Sequence, residues 1–149
     1  MNREIKFQIW DKKNQEMISN MQNFKFIESI NSRTFLRLGV NENNNFTVCA
    51  EHTDDYEILQ YTGEVVPSTG EMIFEGDILE QSYLSPLNNK RIVKRYLICF
   101  EDACYKAKLI GHSPYGDTHL YFVIANSKTF DTKIIGDAYR NPELLEVQQ

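Results

Sequence analysis

Short runs in which apolar and polar residues alternate, broken every few residues by Gly, Pro, Asn or Asp, constrain this chain more than any other feature. From Glu4 to Trp10, Ile5, Phe7 and Ile9 fall on one side, and Lys6 and Gln8 on the other. A period of two marks a strand with one buried face, because successive side chains point to opposite faces of a sheet. Asp11 to Gln15 is a polar turn, and a second strand through Met17 completes a hairpin. Phe24 to Ile30, Thr34 to Val40 and Phe46 to Ala50 read as further strands, with Asn41 to Asn45 turning between the last two. Glu57 to Gly63 is a strand ending in glycine, and Pro67 to Gly70 is a turn. Glu71 to Phe74 then leads into Glu75-Gly76-Asp77 and the apolar strand that starts at Ile78. At that tight turn Gly tolerates positive φ, and the Asp carboxylate can accept nearby backbone N–H groups.

The second half continues the pattern. Lys90 to Glu101 is a long strand, which Cys104 to Ile110 pairs with through Glu101-Asp102-Ala103. Gly111 to Asp117 is a loop. Leu120 to Ala125 is a continuous apolar run bounded by polar residues, which suggests a central strand covered on both faces. Ile134-Ile135-Gly136 reads as a last strand. Asn141-Pro142-Glu143-Leu144-Leu145 reads as a helix start, with Asn141 as N-cap and Pro142 at the first helical position. Many short strands, without long helices between them, give a mainly β fold of the barrel or sandwich type. The 9 Phe and 8 Tyr weigh the same way. At 149 residues the chain makes one domain.

Composition narrows the function classes. Lys and Arg total 16 against 21 Asp and Glu, a net charge of -5 that opposes phosphate-neutralising binding over the whole surface. The acidic residues are scattered rather than blocked, so a DNA mimic is not indicated. Met1-Asn2-Arg3-Glu4-Ile5-Lys6 carries charges where a signal peptide needs its apolar region. The run from Leu120 to Ala125 is far too short to span a bilayer. Three cysteines without paired spacing read as reduced thiols. A cytoplasmic protein without membrane contact is the expectation.

Three blocks carry a resemblance. Arg3-Glu4-Ile5-Lys6-Phe7 with Trp10-Asp11 opens the chain. Gln60-Tyr61-Thr62-Gly63 and Ile73-Phe74-Glu75-Gly76-Asp77-Ile78-Leu79 occupy the middle, and Ile135-Gly136-Asp137-Ala138-Tyr139-Arg140-Asn141-Pro142-Glu143-Leu144 the end. In order and spacing they resemble the YopX family of phage and prophage proteins over nearly the whole chain. The resemblance implies a β-rich fold containing an SH3-like barrel, residence in a host bacterium's cytoplasm and a biochemical role that is undefined. Within a single domain over 1–149, N-terminal strands in 1–68 then pack against an SH3-like barrel in 69–149. The sequence departs from the family at Glu64 to Gly70, where a Gly- and Lys-rich turn is usual, and at Phe100 to Tyr105, which lacks a Trp.

The residues offer several chemical readings. The carboxylates of Glu75-Gly76-Asp77 and Asn141-Pro142-Glu143 are explained by turn and cap geometry, without a placed acid–base partner. Gly111 to His119 holds His112, Asp117 and His119, the ligand types of a divalent-metal site, with Ser113 beside His112 inviting a hydrolase reading. A Pro, two Gly and an Asp in nine residues are sufficiently explained as a loop joining strands. Cys49 and His52 are spaced like half a zinc site, but Cys99 and Cys104 are too far apart to be the other half. Alternation groups Cys99 with Val93 and Leu97, as a small core residue. Lys90, Arg91, Lys94 and Arg95 form the one basic concentration, with Arg91 and Arg95 on one face and Lys94 on the other with Ile92 and Tyr96. These four are the candidate nucleic-acid contacts. A solvated edge strand, protected by its charges against unwanted pairing, is the favoured reading of the same residues.

The reading that results is a non-catalytic interaction module, with no metal and no cofactor, binding itself or a host or phage protein. A nucleic-acid-binding accessory factor is the alternative, and an enzyme using the His112, Asp117 and His119 loop comes third. Self-association is favoured because sheet edges, abundant Tyr and Phe, and Leu144 and Leu145 all need covering.

Overall fold

The computed structural model describes residues 4, 6–19, 24–28, 34–42, 45–50, 55–111 and 116–146. They fall into two compact units, one built on Lys6–Leu59 and the other on Gln60–Gln149. The division lies between Leu59 and Gln60, inside a strand.

In the first unit, β1 (Phe7–Asp11) and β2 (Glu16–Ile18) form the expected hairpin, pairing Ile9 with Ile18 and Trp10 with Met17. Asp11 shapes the turn by accepting the Lys13 and Asn14 backbone N–H groups at 3.0 Å each, and the Asn14 amide at 2.8 Å. Burial would raise the Asp11 carboxyl, but those bonds outweigh it and hold the group below its ordinary range. β3 (Phe24–Glu28), β4 (Thr34–Glu42) and β5 (Asn45–Ala50) make a three-stranded antiparallel sheet in that order. β6 (Tyr56–Val65) starts in this unit as a neighbour of β1, and Ile9 packs with Ile18, Tyr56 and Ile58.

The second unit holds a five-stranded antiparallel sheet built from β8 (Asp77–Leu84), β9 (Arg91–Glu101), β10 (Cys104–Leu109), β11 (Thr118–His119) and β12 (Asp131–Asp137). The strand order is β11-β10-β9-β8-β12. β7 (Met72–Phe74) pairs with the end of β6, Tyr61 against Phe74 and Val65 against Met72. β6 thus continues past Gly63, where the sequence suggested that it would stop. One sheet face is apolar: Leu79, Tyr96, Ile98 and Ala107 join Val66, Ile73, Leu120 and Val123 in the core. The hairpin between β9 and β10 turns through Asp102 and Ala103, at φ 52° and 60°. Two consecutive positive φ values match the twist of the flanking strands, as in a type I′ turn.

The mainly β expectation holds, with two local corrections. Leu120–Ala125 is not a central strand: α1 (Leu120–Asn126) is a helix. Leu120 and Val123, three residues apart, are buried while Tyr121 and Phe122 are exposed, so one helical stripe faces the core. A short apolar run cannot by itself distinguish these outcomes. At the C-terminus Pro142–Leu145 forms one 3₁₀ turn, with Pro142 at its start as expected. Asn141 does not cap it with its side chain; its Oδ1 accepts the Asp137 N–H at 3.3 Å instead.

Candidate functional site

The middle and last sequence blocks meet in space. Asp77 opens β8, Asp137 closes β12, and the two stand directly opposite each other in the antiparallel ladder. Both are buried, 7% and 1% exposed. Gly76 takes φ 85° in the turn before Asp77, and its carbonyl accepts the Ala138 N–H at 2.8 Å. Asp77 Oδ2 accepts the Phe74 N–H at 2.8 Å, the turn role expected for this carboxylate. Asp137 Oδ1 accepts the Tyr139 and Arg140 N–H groups, and its Oδ2 takes the Arg140 guanidinium at 2.6 Å. A methyl group on Gly136 would run into the Asn141 side chain, so glycine is required there for close approach. Burial pushes the Asp77 carboxyl up to about 7; the Phe74 N–H opposes this, and the charges of Asp137 and Glu71 add to it. The pair is a buried corner, out of reach of a substrate. It does the work of a turn.

The basic strand places its cations as alternation predicts, on two faces. Arg95 meets Glu80 directly across the β8–β9 ladder at 3.0 Å, and Lys133 reaches the same carboxylate from β12 at 3.3 Å. Burial would raise Glu80, but Arg95 and Lys133 outweigh it and hold the carboxyl below its usual range. Arg91 donates to Ser82 Oγ at 2.6 Å and lies 3.7 Å from Asp131. On the other face Lys94 sits over the Tyr83 ring, 5.8 Å from its centroid. Lys90 is exposed in the turn before β9. A cleft of about 260 Å³ opens beside this array, with Ser82, Arg91, Phe130, Asp131 and Lys133 among its walls. Its mixed charges place no single sign of potential in the cleft. Sequence reasoning missed Glu80, Asp131 and Lys133 as members of this array, because only the registers of β9 with β8 and of β8 with β12 bring them together.

The other candidates resolve differently. Asp117 Oδ1 accepts the Leu109 N–H at 3.0 Å, and His119 packs edge-on against Phe122. His112 and Ser113 lie outside the described residues, as does His52, and the Cys49 side chain is likewise not described. Among the described residues no three His, Cys, Asp or Glu side chains converge as a metal site would require. Cys99 is not a core residue: it is half-buried on the face with Val93, which is 50% exposed, opposite Tyr96 and Ile98. Burial pushes its thiol up, against the charge of Lys108.

Among the described residues, the large apolar side chains of Leu84, Leu87, Val93, Phe100, Tyr121 and Phe122 are each at least half exposed. Tyr121 and Phe122 adjoin each other on α1, their rings edge-to-face at 5.6 Å.

In fold, the chain is similar to the crystal structure of protein EF1440 from Enterococcus faecalis, with a TM-score of 0.57 and 22% identity. That likeness covers 97% of this chain and 100% of the other. No curated protein matches it. Residues 6–146 match the YopX protein family, and no helix among the described residues is long and apolar enough to cross a membrane. Since that match runs over nearly the whole chain, the chain belongs to the YopX protein family.

Proposed function

We propose that this protein is a non-catalytic interaction module that self-associates through the outer face of α1. The observation that carries the reading is the exposure of Tyr121 and Phe122, at 65% and 53%, on a helix whose opposite stripe is anchored in the core. Aromatic side chains supply large contact area with little loss of rotamer freedom, and they are enriched in interface cores. The helix LYFVIAN has no charged residue. In a two-fold assembly each patch meets its own copy, so a charge-free face avoids the like-charge contact that a charged one would suffer. The two arginines of β9, by contrast, are engaged by Glu80, Ser82 and Asp131. The phage or prophage setting, the host cytoplasm and an SH3-like barrel in the second unit are read from family resemblance. A host or phage protein using the same face is the variant of this reading.

Light scattering across a dilution series tests it, together with the double variant Tyr121→Ser/Phe122→Ser. The expected result is a multiple of 17.4 kDa that shifts to one chain in the variant. A mass of one chain for the wild type at every concentration defeats self-association.

A further inference from the structure

The corner formed by Asp77 and Asp137 is unlike the rest of the sheet, since it sets two buried carboxylates face to face across neighbouring strands. Their environments differ. Asp137 is satisfied by two backbone N–H groups and the Arg140 guanidinium. Asp77 receives the Phe74 N–H, while Arg140 turns to Asp137. The charged groups around Asp77 are Glu71 ahead of β7, Asp137 on β12 and Arg140 in the turn beyond it. Two of those three are anions, so a second negative charge in the corner meets net repulsion in addition to the loss of water.

We propose that Asp77 and Asp137 form a protonation-controlled latch, closed while Asp77 holds a proton and loosened when Asp77 ionises. The moving part is the segment after β12. Ala138 is tied to the Gly76 carbonyl, Tyr139 and Arg140 to the Asp137 carboxylate, and Asn141 to the Asp137 carbonyl. Each of these bonds passes through one of the two blocks that meet at the corner. The β8–β9–β10 part of the sheet has its own ladders and does not depend on the corner.

The sign follows from the direction of the Asp77 shift, up to about 7. A carboxyl raised on folding is held protonated by the folded state, so its contribution is fully present below the ordinary Asp value. That contribution is lost as pH rises through about 7. The latch therefore opens on the alkaline side of neutrality.

Hydrogen exchange of the amides of Ala138 to Asn141, corrected for intrinsic exchange, tests this between about pH 5.5 and about pH 8.5. The wild type is expected to lose about tenfold in protection there, while β9 and β10 amides hold theirs. Asp77→Asn keeps an oxygen to accept the Phe74 N–H but cannot ionise, so its protection is expected to stay level across the range. Equally level protection in the wild type, or an undiminished loss in Asp77→Asn, overturns the latch. If Asp77→Asn does not fold, a carbon-detected NMR titration of the wild-type carboxyls decides the question. A midpoint for Asp77 near neutrality supports the latch, and one below about pH 5 overturns it.

Discussion

Gln81 Nε2 lies 3.0 Å from Thr132 Oγ1 across the β8–β12 ladder, and the same nitrogen reaches the Val123 carbonyl at 2.9 Å. Ser127 Oγ joins this buried network, donating to Thr132 Oγ1 at 2.8 Å. One amide thus fixes the end of α1 to the sheet. Gln81→Leu leaves the Val123 carbonyl and the Thr132 hydroxyl short of a donor, an expected loss of about 2–3 kcal/mol. Urea denaturation measures it, and a loss under about 0.5 kcal/mol would show that the network carries little stability.

Glu80 gives the opposite pH signature to Asp77. Its carboxyl is held below the ordinary Glu value because the Arg95 and Lys133 bonds outweigh burial. The stabilisation is therefore present above that value and lost as pH falls through the lowered one. Glu80→Gln is expected to lose about 1 kcal/mol near neutral pH and to converge with wild type once pH has fallen below the lowered Glu80 value. Stability curves for the two proteins at several pH values check this; a constant gap down to acid pH contradicts it.

Ala103 occupies a backbone conformation that suits glycine, at φ 60°. A residue with a Cβ pays roughly 1–2 kcal/mol in that region. Ala103→Gly relieves this strain but adds freedom to the unfolded chain, leaving an expected net gain of about 0.5–1 kcal/mol. A thermal melt that falls rather than rises would falsify the turn assignment.

The basic strand should bind nucleic acid weakly. Arg91 and Arg95 already face Asp131 and Glu80, which leaves Lys90 and Lys94 as the main surplus charge on this strand. Anisotropy with labelled single strands at about 150 mM salt is expected to give dissociation constants weaker than about 10 μM. Tight, salt-sensitive binding abolished by Lys90→Ala/Lys94→Ala would instead establish the accessory-factor function.

The sequence announced local structure far better than it announced contacts. Phe7 and Ile9 marked the first strand, and the Gly76-Asp77 turn was readable down to its side-chain bond. Those signals live within a few residues of one another. Leu120 to Ala125 misled because six apolar residues satisfy either a covered strand or a short helix, and tertiary packing of Leu120 and Val123 chose the helix. Cys99 misled for a related reason: alternation fixed which residues share its face, but not which face the core would cover. Glu80 and Lys133 stayed invisible as partners because they sit on different strands from the cations, in a register that no local motif encodes.

The ladder that joins Asp77 to Asp137 also implies an order of events as the chain folds. β8, β9 and β10 are linked by two tight hairpins and can zip up locally, each closing a short loop. β12 must return across 60 residues to lie beside β8, so its closure entropy is paid only after the meander exists to receive it. Conservative substitutions in β12 are then expected to speed unfolding while leaving the refolding rate nearly unchanged, with the reverse at Leu79 and Ile98. The C-terminal strand is the last piece home and the first to leave.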